Sequence, residues 1–456
     1  MNERQLLDNA QSEPLRRLRR DALKILKQAV EAVDPRKAVE NSLEIRGSHL
    51  CFSEIELDLD GFSEIYVVGG GKAGGAMAEA VEALLGDRIS DGVVNILKGT
   101  EDRYHTGKIE LNGASHPIPD DESIRGTARM LSIVEQAKAE DLIVVLVSGG
   151  GSALMTCPAV GISLEELRLL TEMLLMCGAT INELNAVRKH LSAVKGGQLA
   201  ERAYPASVVS LILSDVVGDP LDTIASGPTA SDRSTFDDAV KVLQKYGLWT
   251  KAADSIRNRL EAGLKGEIRE TPKPGDKIFE RVSNVIVGSN LVAAKAAVGE
   301  AKALGYNTLL LSTRVEGEAR HVGTMYAAIA KEISESGHPI PEPAAVVAGG
   351  ETTVHVGGSG RGGRNQEIAL SATMRMDGLN AVIAALATDG VDGPTEAAGA
   401  IADGSTMKRA ASMGLTPEEF LMDNDSYGFF SRLGDAILTG PTGTNVNDLA
   451  VILVSK

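Results

Sequence analysis

Leu142-Ile-Val-Val-Val-Leu-Val-Ser-Gly-Gly-Gly-Ser-Ala-Leu154 is the stretch that decides the fold. The aliphatic run from Leu142 to Val147 is too short to cross a membrane. It suits a strand buried on both faces of a parallel sheet. The run then opens into Ser148-Gly149-Gly150-Gly151-Ser152. Glycines let the backbone turn its N–H groups toward one point with no Cβ in the way, and the two serines add hydroxyls. A strand that opens into such a loop at its carboxyl end makes an anion cradle, most often for phosphate. A plain strand-to-helix turn explains one such loop equally well. The cradle reading gains because the pattern repeats along the chain.

Ile65-Tyr-Val-Val68 is the first repeat, followed by Gly69-Gly-Gly-Lys-Ala-Gly-Gly75 and an alanine-rich helix to about Leu85. Gly69, Gly71 and Gly74 fit the dinucleotide pattern G-x-G-x-x-G, and Gly70 and Gly71 become candidate ligand contacts. Two features count against a nicotinamide nucleotide. The next strand, Val93–Leu97, ends in Lys98 rather than in an acid that would hold a ribose. Lys72 also sits in the turn, at a helix N-terminus where the dipole disfavours a cation unless an anion shares the site. The spacing is not that of a Walker loop.

Further along, Ser163-x-x-Glu166 and Thr180-x-x-Glu183 read as capping boxes of two helices. The second helix carries Asn185-Ala-Val-Arg-Lys-His-Leu-Ser192, so Arg188 and Lys189 are candidate anion contacts. Lys195-Gly196-Gly197 is hard to explain as surface. His116, in Ser115-His-Pro-Ile-Pro-Asp120, either lines the cleft or braces its loop, with bracing the first expectation. The strand Val208–Leu213 ends in Ser214-Asp215-Val-Val-Gly-Asp219. Ile224-Ala-Ser-Gly-Pro-Thr229 adds a hydroxyl-rich loop with Ser226. A carboxylate at a strand's carboxyl end beside glycine loops is placed to hold Mg²⁺ or to accept a proton, which makes Asp215 a candidate for either role.

The polar, proline-bearing residues 248–281 read as a peripheral helix and a linker. The predicted domains are therefore 1–275 and 276–456. In the second, Val285–Gly288, Thr308–Ser312, Ala344–Ala348, Val382–Ala387 and Leu449–Val454 are predicted strands. The most glycine-dense tract, Gly357-Gly-Ser-Gly-Arg-Gly-Gly-Arg-Asn-Gln366, offers Gly363, Asn365 and, at a helix entrance, Arg364 as a fork for phosphate or carboxylate. Asp389 in Thr388-Asp-Gly-Val-Asp-Gly393 is a second candidate for metal or proton, and Asn445 lies in Thr439–Asp448. Glu351 is a third candidate, though it reads more simply as a solvated loop acid. Near the start, residues 14–33 read as an amphipathic packing helix, with Arg and Lys between its apolar positions.

Composition limits the function. The chain has 456 residues, 43% hydrophobic but only 3% aromatic, with 49 glycines that follow apolar runs. That is an α/β protein with aliphatic cores. A net charge of −16 and the lack of any basic block exclude nucleic acid as an expected partner. Cys51, Cys157 and Cys177 have no metal-like spacing and read as buried thiols in a reducing compartment. Without a signal peptide or a long apolar run, the expectation is a soluble cytoplasmic protein that acts on small molecules. A homodimer is allowed for.

Anion cradles, lone cations and strand-end acids are the parts that phosphoryl transfer needs. Taken in order, eight stretches resemble the glycerate kinases that make 2-phosphoglycerate and carry a C-terminal MOFRL domain. They are Gly69–Gly75, Ser148–Leu154, Asn185–Ser192, Ser214–Asp219, Ile224–Thr229, Gly362-Gly-Arg-Asn-Gln-Glu367, Thr388–Thr395 and Gly440-Pro-Thr-Gly-Thr-Asn445. The resemblance covers nearly the whole chain. It implies a Rossmann-like, mostly parallel sheet domain, then a smaller α/β domain, with the active site in the cleft between them. It also implies ATP-dependent phosphorylation of D-glycerate, with Lys72 and Arg364 at the positions of the family's proposed catalytic lysine and arginine. Mg²⁺ on Asp215 or Asp389 completes the expected site. The rival readings are an NAD(P)H-dependent hydroxypyruvate reductase and a non-catalytic sugar-acid sensor.

Overall fold

The structure is a computed structural model that describes residues 1–455. The chain forms two compact units, one of Pro35–Val287 and one of Met1–Asp34 together with Gly288 onward. The first unit is built on six strands: β1 (Ile65–Gly70), β2 (Ile89–Leu97), β3 (Ile109–Ala114), β4 (Leu142–Ser148), β5 (Ser207–Leu213) and β6 (Val282–Gly288). Their order is β3-β2-β1-β4-β5-β6, and the pairs from β3 to β5 are parallel. All of β4 is buried, as its apolar run requires. The chain leaves β1 to build β2 and β3 on one side. It then crosses back to lay β4 on the other. Strand order therefore reverses between β1 and β4, and in open parallel sheets ligands bind outside the carboxyl ends at that reversal. Both strands end there in glycine loops.

Helix α1 (Gly74–Leu85) follows β1, and α2 (Asp121–Gln136) is the crossover to β4. The two predicted capping boxes form, on α3 (Leu164–Met176) and α4 (Ile181–His190). Leu170 and Leu174 of α3 pack with Val187 of α4 and Phe236 in one apolar cluster. This anchors α4, which carries Arg188 and Lys189.

The predicted boundary after residue 275 shifts. The strand expected to open the second domain is β6, at the edge of the parallel sheet beside β5. The supposed linker contains the helix Asp254–Leu264, whose Ile256 and Leu260 belong to the same apolar cluster as α3 and α4. Polar surface residues concealed that packing. The cysteines, expected to be buried, are not fully so: Cys51 and Cys157 are half-buried and Cys177 is exposed.

The second unit holds β7 (Asn307–Val315), β8 (Ala344–Gly350), β9 (Ala381–Ala387), β10 (Gly399–Asp403), β11 (Ala436–Ile437) and β12 (Asp448–Val454), in the order β7-β8-β12-β9-β10-β11. Only β7 and β8 pair in parallel; the other pairs are antiparallel. Helix α5 (Arg364–Thr373) is buried from Asn365 onward. The first 34 residues also belong to this unit, against the predicted 1–275 domain. Their main helix, Glu13–Glu31, is capped by Ser12 and lays Leu15, Leu18, Ala22, Ile25 and Leu26 inward. Arg19, one of the residues between its apolar positions, is fully buried. It binds Asp403 at 2.5 Å and Asp435 at 2.8 Å. A buried guanidinium without such partners would cost several kcal/mol, about the order expected for any stranded buried charge.

Candidate active site

In the first unit the loops after β1 and β4 are bound together. The Lys72 N–H donates to the Gly149 carbonyl at 2.8 Å, and the Ala73 N–H to Ser148 Oγ at 3.1 Å. A Cβ on Gly71 would lie 2.0 Å from Ser148 Oγ, and one on Gly70 2.7 Å from Met155 Cγ. Gly71 also has φ +154°, which side-chain-bearing residues rarely adopt. Gly70, Gly71 and Ser148, predicted to touch ligand, thus also hold the two loops together. Close packing of the two loops is what fixes Lys72, whose side chain remains exposed. On the far side of the β4 loop, a Cβ on Gly149 would lie 2.3 Å from Asp215 Oδ2. Asp215 thus backs the cradle. The N–H groups of Gly150, Gly151 and Ser152 donate to no backbone carbonyl among the described residues.

Polar groups converge on this loop. Ser152 Oγ meets Ser226 Oγ at 2.8 Å, and Ser226 Oγ donates to Asn185 Oδ1 at 3.0 Å. Asn185 Nδ2 is buried without a partner. Ala225 and Ser226 hold φ of 49° and 62°, a strained geometry for residues other than glycine and one that concentrates at functional sites. Lys195 is buried, and its Nζ donates to the carbonyls of Ser152 at 2.6 Å and Met155 at 3.1 Å. Burial, with some help from Arg188, pulls the Lys195 ammonium down to about 7. Arg188 is half-buried, and burial lowers its basicity too. His116 does more than brace its loop. A Cβ on Gly150 would stand 3.0 Å from His116 Cδ2 and 3.1 Å from Lys72 Cγ. Burial, and then Lys72, pull the imidazole down to about 4, so it is neutral at physiological pH.

Among the described residues, none of Lys72, Arg188 and Lys195 makes an ion pair. Lys189 differs. It is buried against Asp232 at 3.1 Å and Asp222 at 3.6 Å. Its predicted ligand role gives way to a structural one, because consecutive helix residues point to different faces. Periodicity alone does not tell which of two adjacent cations faces the core.

The charged centre of the second unit is closed by contrast. Arg364, the first residue of α5, uses Nε and Nη2 on Asp448 at 2.6 and 3.1 Å, and Nη1 on Glu351 at 2.9 Å. Asn447 Nδ2 donates to the other Glu351 oxygen at 3.0 Å. Burial pushes the Asp448 carboxyl up to about 7, even against Arg364, while the pair holds the guanidinium charged. Glu351, read as a solvated acid, is thus half of an ion pair.

The glycine tract before α5 is not an open cradle. The N–H groups of Gly357 and Gly358 donate to Asn424 Oδ1, those of Ser359 and Arg361 to Asp423 and Asp425 carboxylates, and that of Gly360 to the Asp423 carbonyl. Gly363 packs on Asp392, whose carboxylate also accepts from the N–H and side-chain amide of Asn365. Asn445 Oδ1 accepts from the Asn447 N–H at 3.0 Å. Asp389 takes the Val391 N–H on Oδ1 at 3.0 Å. Of the polar residues at these two centres, sequence reasoning gives no role of their own to Asn185 and Asp448, keeps His116 and Glu351 only as secondary possibilities, and finds Lys195 merely hard to explain as surface.

No group of three or more His, Cys, Asp or Glu among the described residues is placed to hold a metal ion. A Mg²⁺ ion that arrives with phosphates needs only one or two carboxylates, and Asp215 beside the cradle fits that need.

Comparison with known proteins finds relatives named glycerate kinases along nearly the whole chain, and two of Agrobacterium vitis, at 40% and 39% identity, named putative hydroxypyruvate reductases. Residues 21–261 match the family described as a domain of unknown function (DUF4147), and residues 344–448 match the MOFRL family. A glycerate 2-kinase of Pyrococcus horikoshii is 43% identical over 444 residues, covering 96% of this chain and 98% of its own. A D-glycerate 2-kinase of Thermotoga maritima is 44% identical over 441 residues, covering 96% and 98%. The crystal structure of a glycerate kinase from Thermotoga maritima superposes with a TM-score of 0.86 at 42% identity, covering 95% of this chain and 99% of that one.

Proposed function

Since the chain belongs to the glycerate kinase family, we propose that it transfers the γ-phosphate of ATP to D-glycerate and gives 2-phosphoglycerate. One observation carries the reading. Lys72, Arg188 and Lys195 lie without carboxylate partners at the open N–H groups of the β4 loop, in a chain of net charge −16. Arg188 and Lys195 are in addition partly desolvated, which is unfavourable unless a polyanion joins them. A triphosphate supplies that charge.

In this proposal the triphosphate lies along Gly149–Ser152, and Lys72 neutralises charge on the transferred group. Arg364 takes part by exchanging its exposed partner Glu351 for substrate while Asp448 keeps the guanidinium oriented. Asp389, with one carboxylate oxygen unengaged by hydrogen bonds, orients the acceptor hydroxyl. Asp215 would hold a Mg²⁺ that screens the β- and γ-phosphates. Positioning and charge neutralisation suffice, because phosphoryl transfer passes through a loose transition state with little covalent work for the protein. The setting we propose is the cytoplasm, in keeping with three free cysteines.

The test is incubation of the purified chain with D-glycerate and Mg-ATP. ADP release, with phosphorus NMR showing phosphate on the 2-hydroxyl, is the expected result. Oxidation of NADH with hydroxypyruvate in the absence of ATP would overturn the reading in favour of a reductase. Binding of glycerate without any turnover would favour a sensor.

A further inference from the structure

A cavity of about 420 Å³ opens beside the β4 loop, wholly within the first unit. At one end it is lined by Gly150, Ser152, Arg188 and Lys195. Those residues are mutual neighbours, since Lys195 Nζ binds the Ser152 carbonyl and feels the charge of Arg188. The rest of the wall is of another kind. The loop with Ile118, and Leu167, Thr171 and Leu175 of α3, present mainly carbon, with the exposed Glu172 the one acid in the lining. On the same wall the Nε of Arg168 is buried without a partner.

D-glycerate does not suit this cavity. At about 30 Å³ per water, the space matches roughly fourteen waters, whereas the acid has three carbons, each bearing oxygen. Nothing in it would cover the aliphatic wall. The cavity calls for a ligand with a flat, weakly polar part and an anionic end. Ligand sites of this size are typically apolar with a few convergent polar groups, and arginine planes stack well on aromatic rings.

We infer that this cavity seats the nucleoside of the phosphoryl donor, its base between the Ile118 loop and α3, with Arg188 and Lys195 gripping the proximal phosphates. The assignment rests on the kinase reading above and adds to it where the donor is recognised. It makes Thr171 and Leu175 determinants of donor affinity without any part in binding the acceptor.

Calorimetry with two probes, ATP and inorganic tripolyphosphate, tests this on the full chain without turnover. Thr171→Trp fills the cavity, and Leu175→Trp does so from the exposed rim with little risk to folding. Each is expected to weaken ATP at least about tenfold while leaving tripolyphosphate and D-glycerate within about twofold. Arg188→Ala is expected to weaken ATP and tripolyphosphate alike. Unchanged ATP affinity in both tryptophan variants overturns the assignment. So does loss of D-glycerate binding with ATP retained, which would make the cavity the acceptor's. If the wild-type chain shows the expected ATP pattern yet never phosphorylates glycerate, the kinase reading fails and the nucleoside site stands.

Discussion

The two units each bring a cationic centre to the ends of their strands, and the two centres are built in opposite ways. In the first unit Lys72, Arg188 and Lys195 have no carboxylate partner, and the glycine N–H groups beside them are open. In the second, Arg364 is held by Asp448 and Glu351, and the glycine N–H groups are occupied by Asp423, Asn424 and Asp425. An open centre gains from any polyanion that arrives. A closed one must release a partner before it can bind, so its interaction is weaker but more selective. On the proposed reading, affinity for the triphosphate belongs to the open centre of the first unit.

The largest effect should come from Lys72. Lys72→Ala is expected to lower kcat/KM with ATP and glycerate by about 10²–10³, the usual loss when a transition-state charge partner is removed. Steady-state kinetics decides. A loss below about threefold, less than about 1 kcal/mol, removes Lys72 from the reaction and with it half of the contrast.

Arg188 and Lys189 sharpen the comparison within one helix. Arg188→Ala should raise the KM for ATP by about tenfold or more with little change in thermal stability. Lys189→Met strands the buried Asp232 and should cost about 3–5 kcal/mol of stability. Denaturation and kinetics on the same pair check both. Equal effects on ATP would show that burial does not separate their roles.

Much of this was legible before any coordinates. Both interlocked glycine loops, the buried β4, the capping boxes of α3 and α4, and the strand-end aspartates follow from short-range pattern. What was not legible depends on partners far along the chain. Gly357–Gly363 reads as a cradle because nothing local reveals that residues 423–425 take its N–H groups. The burial of Arg19 is not visible locally because its acids, Asp403 and Asp435, come 384 and 416 residues later. The strand β6 was assigned to the wrong unit because an edge strand looks alike in either sheet.

Lys195 gives a smaller but more diagnostic effect. Its folded value of about 7 lies below the ordinary lysine range because of burial, then Arg188, with the Cys157 thiol opposing. Between about 7 and the ordinary 10.5 the unfolded chain binds the extra proton, so stability should rise with pH across that window. Triphosphate affinity should move the other way, because the anion favours the charged ammonium. His116 stays neutral throughout and adds nothing to the trend. A rise in the KM for ATP of a few-fold from pH 7 to 9 is expected, roughly the worth of one charged hydrogen bond. Lys195→Arg, which remains charged, should flatten it. A wild-type profile as flat as the variant's would mean that Lys195 serves only the two carbonyls it caps.

The smallest effect separates the two glycine tracts themselves. Gly357 has open space around its Cβ position and ordinary backbone, and its N–H donates to Asn424. Alanine there keeps the N–H and meets nothing, so Gly357→Ala should leave stability and kcat/KM within about twofold, as for most surface changes. Gly150 has φ +81°, and a Cβ would press on both His116 and Lys72. Gly150→Ala therefore combines left-handed strain, about 1 kcal/mol or more, with pressure on the Lys72 side chain. If the substitution at 357 disturbs ATP as much as the one at 150, then the tract before α5 faces ligand after all. The hydrogen bonds from residues 423–425 would then be a resting arrangement that substrate breaks, and the second unit would be as open in use as the first.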